Sequence, residues 1–143
     1  MNAKVYEGNG AIMKAVNAGQ VDAGVIYHYY WYKDQAESGA NSKNVALHQF
    51  AAGDPGAFVS VSGVGVLASS DRKPQAQQLV RYMTSKAGQT ALSASTALEY
   101  SVASDVPANP VLPPLAKLGA PDVQIADLNG PKVVELMQQA GLL

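Results

Sequence analysis

The residues best suited to chemistry in this chain form a short aromatic block from Tyr27 to Tyr32, which reads Tyr-His-Tyr-Tyr-Trp-Tyr. The block holds half of the aromatic residues of the chain and four of its 7 tyrosines. A phenolate oxygen is a hard donor, and hard donors suit a trivalent cation such as Fe(III). The block is therefore the first place in the sequence to look for a function.

Adjacent Tyr29 and Tyr30 offer two phenols to one ion. A free phenol has a pKa near 10, but a bound cation favours its charged form. Neighbours on a regular helix diverge by about 100°, whereas neighbours at a junction between a strand and a helix can converge. The competing interpretation is that these rings pack at the edge of a core or line an interface.

Other candidate sites are less specific. Asn9 and Gly10 precede a predicted helix, where outward-pointing amides favour phosphate or carbonate, although an ordinary N-cap is the simpler interpretation of Asn9. His28 could ligate a metal, but a surface histidine or one with a hydrogen-bonding partner is the simpler interpretation. His48 lies on a predicted strand without a companion ligand.

The pattern around the block predicts elements that would position it. Apolar residues at helical spacing predict a helix over residues 11–18, stopped by Gly19. A continuous apolar run predicts a buried strand over residues 23–27, and a helix follows over about 29–37. The aromatic block then lies at the carboxyl end of a strand, where ligands usually bind in open α/β sheets.

The rest of the chain continues this mixed α/β pattern. Strands are predicted at residues 45–50 and 58–67, helices at 71–85, 86–94 and 129–140, and a proline-rich extended connection at 101–114. On the helix from residue 71, Ala76, Leu79, Val80 and Met83 are expected to face inward.

Composition excludes several classes of function. The chain has 143 residues, enough for one domain, with 48% hydrophobic and 15% charged residues. A net charge of −1 without a basic run argues against nucleic acid binding. The absence of cysteine removes thiolate metal sites and disulfides. No nucleophile–base pair or dinucleotide-binding loop is present, so an enzyme is not expected.

The order of these features is similar to that in one known family. Its markers are Asn9 before a helix, the run over residues 15–23, and the Tyr29-Tyr30-Trp31 triplet. Further matching stretches follow in order: Asp54-Pro55-Gly56-Ala57, Val61-Ser62-Gly63, Val66-Leu67, Gly88-Gln89, Ala116-Lys117-Leu118 and Gln139-Ala140-Gly141. The chain resembles the bacterial periplasmic ferric-ion-binding proteins, substrate-binding subunits of ABC-type iron uptake systems, over their C-terminal half only.

The resemblance implies an α/β fold, namely a partial type II periplasmic-binding-protein fold with a mixed sheet flanked by helices. It implies that Tyr29 and Tyr30 bind Fe(III), and that Asn9 and Gly10 help to hold a synergistic anion, usually phosphate or carbonate. Some members have a second anion-contacting asparagine two residues before the tyrosine pair, and this chain has Tyr27 at that position. The resemblance therefore implies a different contact with the anion here. The implied partner is an ABC permease in the cytoplasmic membrane, and the implied location is periplasmic or otherwise extracytoplasmic, without a leader in this chain.

The resemblance also divides the chain. Residues 1–55 correspond to the part of the C-terminal lobe with the tyrosine site, residues 56–105 to a segment that returns to the N-terminal lobe, and residues 106–143 to a helical tail. The N-terminal lobe has no counterpart, so we expect a fragment with uncovered apolar surface, which a dimer or a swapped assembly would cover.

A second hypothesis keeps the fold and changes the ligand. The rings of Tyr27, Tyr29, Trp31 and Tyr32 could stack on a sugar, a polyamine or another organic cation. Binding of such a ligand would persist after the loss of a phenolic hydroxyl, whereas binding of a metal by phenolates would not.

Overall fold

The computed structural model describes residues 3–143, so Met1 and Asn2, with which the predicted first segment begins, lie outside the described residues. Within that range the regular structure is helical: α1 Asn9–Asn17, α2 His28–Glu37, α3 Lys73–Met83, α4 Lys86–Ser93 and α5 Gly130–Gln139. Short 3-10 turns lie at Pro55–Ala57, Leu115–Lys117 and Ile125–Asp127. The five predicted helices all form, and α1 packs on α2 as α3 packs on α4.

The predicted mixed sheet is wrong, because residues 3–143 contain no strand. The segments at 23–27, 45–50 and 58–67 have no regular secondary structure. An extended segment becomes a strand only when a second one hydrogen-bonds to it, and none pairs with these segments in the described part. Their apolar side chains stay uncovered, since Val25 is 85% exposed and Leu67 is 75% exposed.

The buried apolar core is correspondingly small. It consists of Met13 and Ala15 on α1 together with Leu98, Val106 and Leu112. The structure exposes 10624 Å², whereas a compact protein of 14.9 kDa exposes roughly 7000 Å². The inward face predicted for α3 is affected too, because Leu79 and Met83 are exposed.

Helix α2 is held at its middle and at its C-terminal end. The Trp31 indole Nε1 donates to the Val45 carbonyl at 2.8 Å. The Asp34 carboxylate is buried and accepts from the Asn41 backbone amide at 3.1 Å, the Asn41 Nδ2 at 2.7 Å and the Ser42 hydroxyl at 2.6 Å. These bonds fold the loop after α2 back onto the helix and so fix the direction in which its first turn points.

Two glycines end helices, and Gly19 does so as predicted. Gly19 follows α1 with φ 69° and Gly141 follows α5 with φ 68°, a left-handed conformation that glycine adopts without steric cost. No helix within residues 3–143 combines the length and the apolar character needed to cross a membrane.

Candidate functional site: a tyrosine stack at the start of helix α2

The aromatic block lies where α2 begins. Tyr27 is the N-cap, with an extended backbone of φ −73° and ψ 141°, and the helix starts at His28. The Tyr30 amide donates to the Tyr27 carbonyl at 3.3 Å, which closes the first turn. Tyr29 and Tyr30 therefore belong to the first turn of α2, at the positive end of the helix dipole.

Three of the tyrosine rings form a continuous stack. The ring centroids of Tyr27 and Tyr29 are 5.6 Å apart and their planes differ by 7°. The centroids of Tyr29 and Tyr30 are 4.7 Å apart at an interplanar angle of 30°. The structure thus brings together the two predicted metal ligands, and it adds Tyr27, which the sequence assigned to the anion site.

The central ring of the stack has a perturbed phenol. Burial raises the pKa of Tyr29 above its ordinary value, and the neighbouring Tyr30 phenol and Glu99 carboxylate act in the same direction, with a smaller effect from Tyr27. The Tyr30 phenol and the Glu99 carboxylate therefore lie close enough to Tyr29 to oppose its ionisation. A cation among them would remove that opposition and favour the phenolates.

Asn9 connects the starts of two helices. Its Oδ1 accepts a hydrogen bond from the Tyr27 amide at 2.9 Å. The prediction that Asn9 is the N-cap of α1 is wrong, because Gly8 holds that position without a side-chain bond. With Oδ1 engaged, the Asn9 Nδ2 remains as a donor.

The first turns of α1 and α2 are both without acidic residues. Their amides are therefore not neutralised by side chains, and two positive helix ends lie on either side of the bond between Asn9 and Tyr27. Gly10 adds a first-turn amide on α1. This arrangement favours an anion beside the stack.

His28 connects the start of α2 to a distant segment. Its Nε2 donates to the Leu98 carbonyl at 2.9 Å, and its ring lies 5.3 Å from that of Tyr100. Leu98 is buried and has φ 55°, a left-handed conformation that costs a leucine roughly 1–2 kcal/mol. His28 thus has a hydrogen-bonding partner, as the simpler interpretation of the sequence held, and its bond holds Glu99 close to Tyr29.

Glu99 is the acid that sequence reasoning missed. It lies 70 residues beyond Tyr29 in the numbering, and it lines the same groove as Tyr27 and Tyr29. No local motif singles it out, because only the fold brings it close. Among the described residues no three His, Asp or Glu side chains gather in a way that could hold a metal, so the hard donors at this place are the phenols of the stack and the Glu99 carboxylate.

The stack opens onto a groove of about 1200 Å³. Its walls come from the start of α2, the extended segments at 47–50 and 56–64, the turn between α3 and α4, and the segment around Tyr100. The groove is mostly apolar, with Glu99 as its carboxylate. A groove with few polar groups is typical of a ligand-binding place.

Comparison with known proteins defines the class. Residues 1–90 match the family model described as bacterial extracellular solute-binding protein. Because this match covers more than half of the chain, the chain belongs to the bacterial extracellular solute-binding protein family.

Individual relatives are more specific. The chain is 55% identical over 142 residues to an Fe(3+)-binding periplasmic protein of Serratia marcescens, covering 99% of this chain and 42% of that protein. It is 37% identical over 140 residues to the major ferric iron-binding protein of Neisseria meningitidis serogroup B, covering 97% of this chain and 42% of the relative. The resemblance inferred from the sequence is confirmed.

One solved structure has the same fold over this part. Iron-bound HitA from Pseudomonas aeruginosa superposes with a TM-score of 0.83 at 42% identity, covering 98% of this chain and 45% of HitA. The chain therefore spans less than half the length of these relatives. The fold of a periplasmic binding protein is supported, although the described residues contain no sheet.

Proposed function

We propose that this chain binds Fe(III) as cargo, as part of an extracytoplasmic solute-binding protein, with Tyr29 and Tyr30 as phenolate ligands. The observation that carries the proposal is the stack of these two rings, 4.7 Å apart in the first turn of α2. Hard phenolate oxygens match the hard cation, and relatives named as iron-binding proteins match nearly the whole chain. The protein transports its ligand and catalyses no reaction.

A synergistic anion, phosphate or carbonate, binds beside the metal. Asn9 Nδ2 and the first-turn amide of Gly10 supply donors, and the two helix ends supply a favourable potential. The anion lowers the residual positive charge of a ferric ion held by two phenolates. The Tyr27 position borders the same place, since its amide is bonded to Asn9.

The partner in this proposal is an ABC permease, which receives iron in the periplasm. Residues 1–55 form the part with the tyrosine site, residues 56–105 the part that passes toward a second lobe, and residues 106–143 the helical tail. A dimer or a swapped assembly remains a prediction of the sequence, and light scattering of the purified chain tests it.

The direct test is a titration of the chain with ferric citrate, followed by visible absorption. Coordination of tyrosinate to Fe(III) produces a charge-transfer band and a pink to orange colour. Gallium citrate serves as a control, because a Ga(III) complex binds the same donors without a visible band. A chain that binds iron, as measured by metal analysis after gel filtration, yet stays colourless would contradict the assignment of the tyrosines.

The alternative is an organic ligand that stacks on the aromatic block. The groove is large enough, and the Tyr27 ring is half exposed. However, the faces of Tyr27, Tyr29 and Tyr30 are already stacked on one another, which leaves fewer faces for a ligand. Calorimetry with sugars and polyamines distinguishes the two functions, because heat released by these ligands and none by ferric citrate would favour the alternative.

A further inference from the structure

One segment of the chain, residues 58–67, combines an apolar sequence with the absence of any charge. It reads Phe-Val-Ser-Val-Ser-Gly-Val-Gly-Val-Leu, and it also contains no proline. Valine and phenylalanine are residue types that favour strands. Folded proteins normally protect exposed strands against pairing with other chains by charges or prolines. The 58–67 segment has neither protection, so its sequence favours pairing with a second chain.

The backbone of the 58–67 segment is available for such pairing. Within residues 3–143, its amides and carbonyls from residue 58 to residue 66 make no hydrogen bond to the protein, and the Leu67 carbonyl accepts only from the Ser70 amide at 3.1 Å. The side chains are uncovered as well, since Val61 is 55% and Val64 is 50% exposed. A further strand added here would satisfy the peptide groups and cover the apolar side chains together.

The uncovered surface is large enough for a stable contact between two copies of the chain. The structure exposes 10624 Å², whereas a compact protein of 14.9 kDa exposes roughly 7000 Å². A standard interface removes about 800 Å² from each partner, which is well below this excess. A net charge of −1 opposes the association of identical copies only weakly.

The charges at the two ends of the 58–67 segment favour one orientation of a second copy. Asp54 precedes the segment. Asp71 follows it together with Arg72 and Lys73, so this end has one more positive than negative charge. Antiparallel pairing brings the acidic end of each copy to the basic end of the other, whereas parallel pairing brings like ends together. Antiparallel pairing also makes the contact the same for both copies, as a closed two-fold dimer requires.

We infer that two copies of this chain associate through antiparallel pairing of their 58–67 segments, with residues 62 and 63 close to the two-fold axis. Residues 3–143 contain no strand by themselves, and the second copy supplies the pairing partner that the segment lacks. The inference goes beyond the proposed function, which names no surface for an assembly. It holds whichever ligand the tyrosine stack binds.

Sedimentation velocity over a range of chain concentrations measures the association. We expect the wild-type chain to form a species of twice 14.9 kDa. Val64→Lys places a lysine near the two-fold axis, where it meets the lysine of the second copy. The dissociation constant of this variant should therefore rise by at least about tenfold. Val111→Lys is the matched control, because Val111 is 58% exposed and lies outside the segment.

Hydrogen exchange locates the contact. The amides of residues 58–67 should exchange more slowly in the wild-type dimer than in Val64→Lys, while those of α2 exchange alike. Ser62→Pro is a second variant, which removes one amide from the paired segment without removing apolar surface, and it should also weaken the dimer. Circular dichroism checks that both variants keep the helices of the wild type.

Three results would overturn the inference. A wild-type chain that stays monomeric at every concentration does so, and protected amides at residues 58–67 in that monomer would mean that the chain covers the segment itself. A dimer that Val64→Lys and Val111→Lys weaken equally excludes this surface, and a series of larger species excludes the two-fold arrangement. Iron binding is measured separately, so a dimer that binds iron and stays colourless would contradict only the proposed function.

Discussion

The two ends of helix α2 differ in whether their polar side chains are hydrogen-bonded to the surrounding protein. At the C-terminal end, the buried Asp34 carboxylate is satisfied by three donors from Asn41 and Ser42. At the N-terminal end, the hydroxyls of Tyr27, Tyr29 and Tyr30 find no acceptor in the described protein outside their own stack. The same ten-residue helix therefore ends in a closed polar cluster and begins with an open one.

The difference separates structure from function. Polar groups that serve only the fold are paired, because an unpaired buried group costs free energy. Groups kept for a ligand stay unpaired until the ligand arrives, and local rules are broken where function requires it. Substitutions at the open end should alter metal binding without altering stability, and substitutions at the closed end should do the reverse.

The largest effect is expected from Tyr29→Phe or Tyr30→Phe. Each removes a ligand atom, so iron affinity should fall by more than the about 10- to 100-fold that changes outside the ligand set cost. The visible band should lose much of its intensity, because one of the two tyrosinate–iron bonds is gone. The thermal midpoint should stay within about 2 °C, because these hydroxyls bond at most to one another and not to the rest of the described protein. Tyr6→Phe, outside the aromatic block, is the control. A visible band of normal strength in the Tyr29 variant would contradict the assignment of Tyr29 as an iron ligand.

The opposite pattern is expected from Asp34→Asn. An amide offers one acceptor oxygen and places an NH₂ group against donors from Asn41 and Ser42. The loop after α2 therefore loses hydrogen bonds that hold it on the helix. We expect the melting temperature to fall by roughly 5–10 °C. Iron bound per chain below that temperature should be unchanged. A fall in iron binding that is equal to that of the tyrosine variants would mean that the two ends of α2 are not independent.

Asp34 should also leave its mark on the dependence of stability on pH. Hydrogen bonds from Ser42 and Asn41 lower the pKa of Asp34 in the folded chain below its ordinary value of 3.8. Its stabilising contribution is therefore complete above pH 3.8 and is lost as pH falls through the lowered pKa.

The measurement is thermal unfolding of the wild type and Asp34→Asn over the range from neutral pH to below pH 3.8. The two midpoints should approach each other as the pH falls. Asp105→Asn is the comparison, because Lys86 lowers the pKa of Asp105 but their 3.0 Å ion pair is exposed and should contribute little. A constant difference between wild type and Asp34→Asn would contradict the assigned cause.

The smallest effect is expected from His28→Phe, which keeps a ring beside Tyr100 and removes the donor to Leu98. The loss of one hydrogen bond to a backbone carbonyl should destabilise the chain by about 1 kcal/mol. Iron affinity should weaken less than in the tyrosine variants, since Glu99 is displaced but no ligand is lost. His48→Phe, on an exposed residue, is the control. Equal melting temperatures of the two histidine variants would show that the His28 bond is not stabilising.

The sequence was informative wherever the interactions are local. Local patterns along the chain predicted all five helices, and Gly19 and Gly141 ended α1 and α5 because glycine accepts a positive φ. The candidate tyrosine pair was also visible, since adjacent residues need no tertiary structure to be neighbours. These features depend on a few consecutive residues.

The sequence failed where partners are distant. The apolar runs at 23–27, 45–50 and 58–67 predicted strands, but a ladder needs a second strand, and the described residues supply none. The same limit explains why Leu79 was expected inside yet is 58% exposed. An apolar pattern states which face seeks burial, without stating what covers it.

The residue types, the aromatic block and the helices around it were determined by the sequence alone, because propensity and spacing act within a turn or two of chain. The tertiary structure decided that Asn9 bonds to the Tyr27 amide, that the rings of Tyr27, Tyr29 and Tyr30 form one stack, and that Glu99 lies beside it. Packing brings together groups that are far apart along the chain, and no local rule of spacing contains that information.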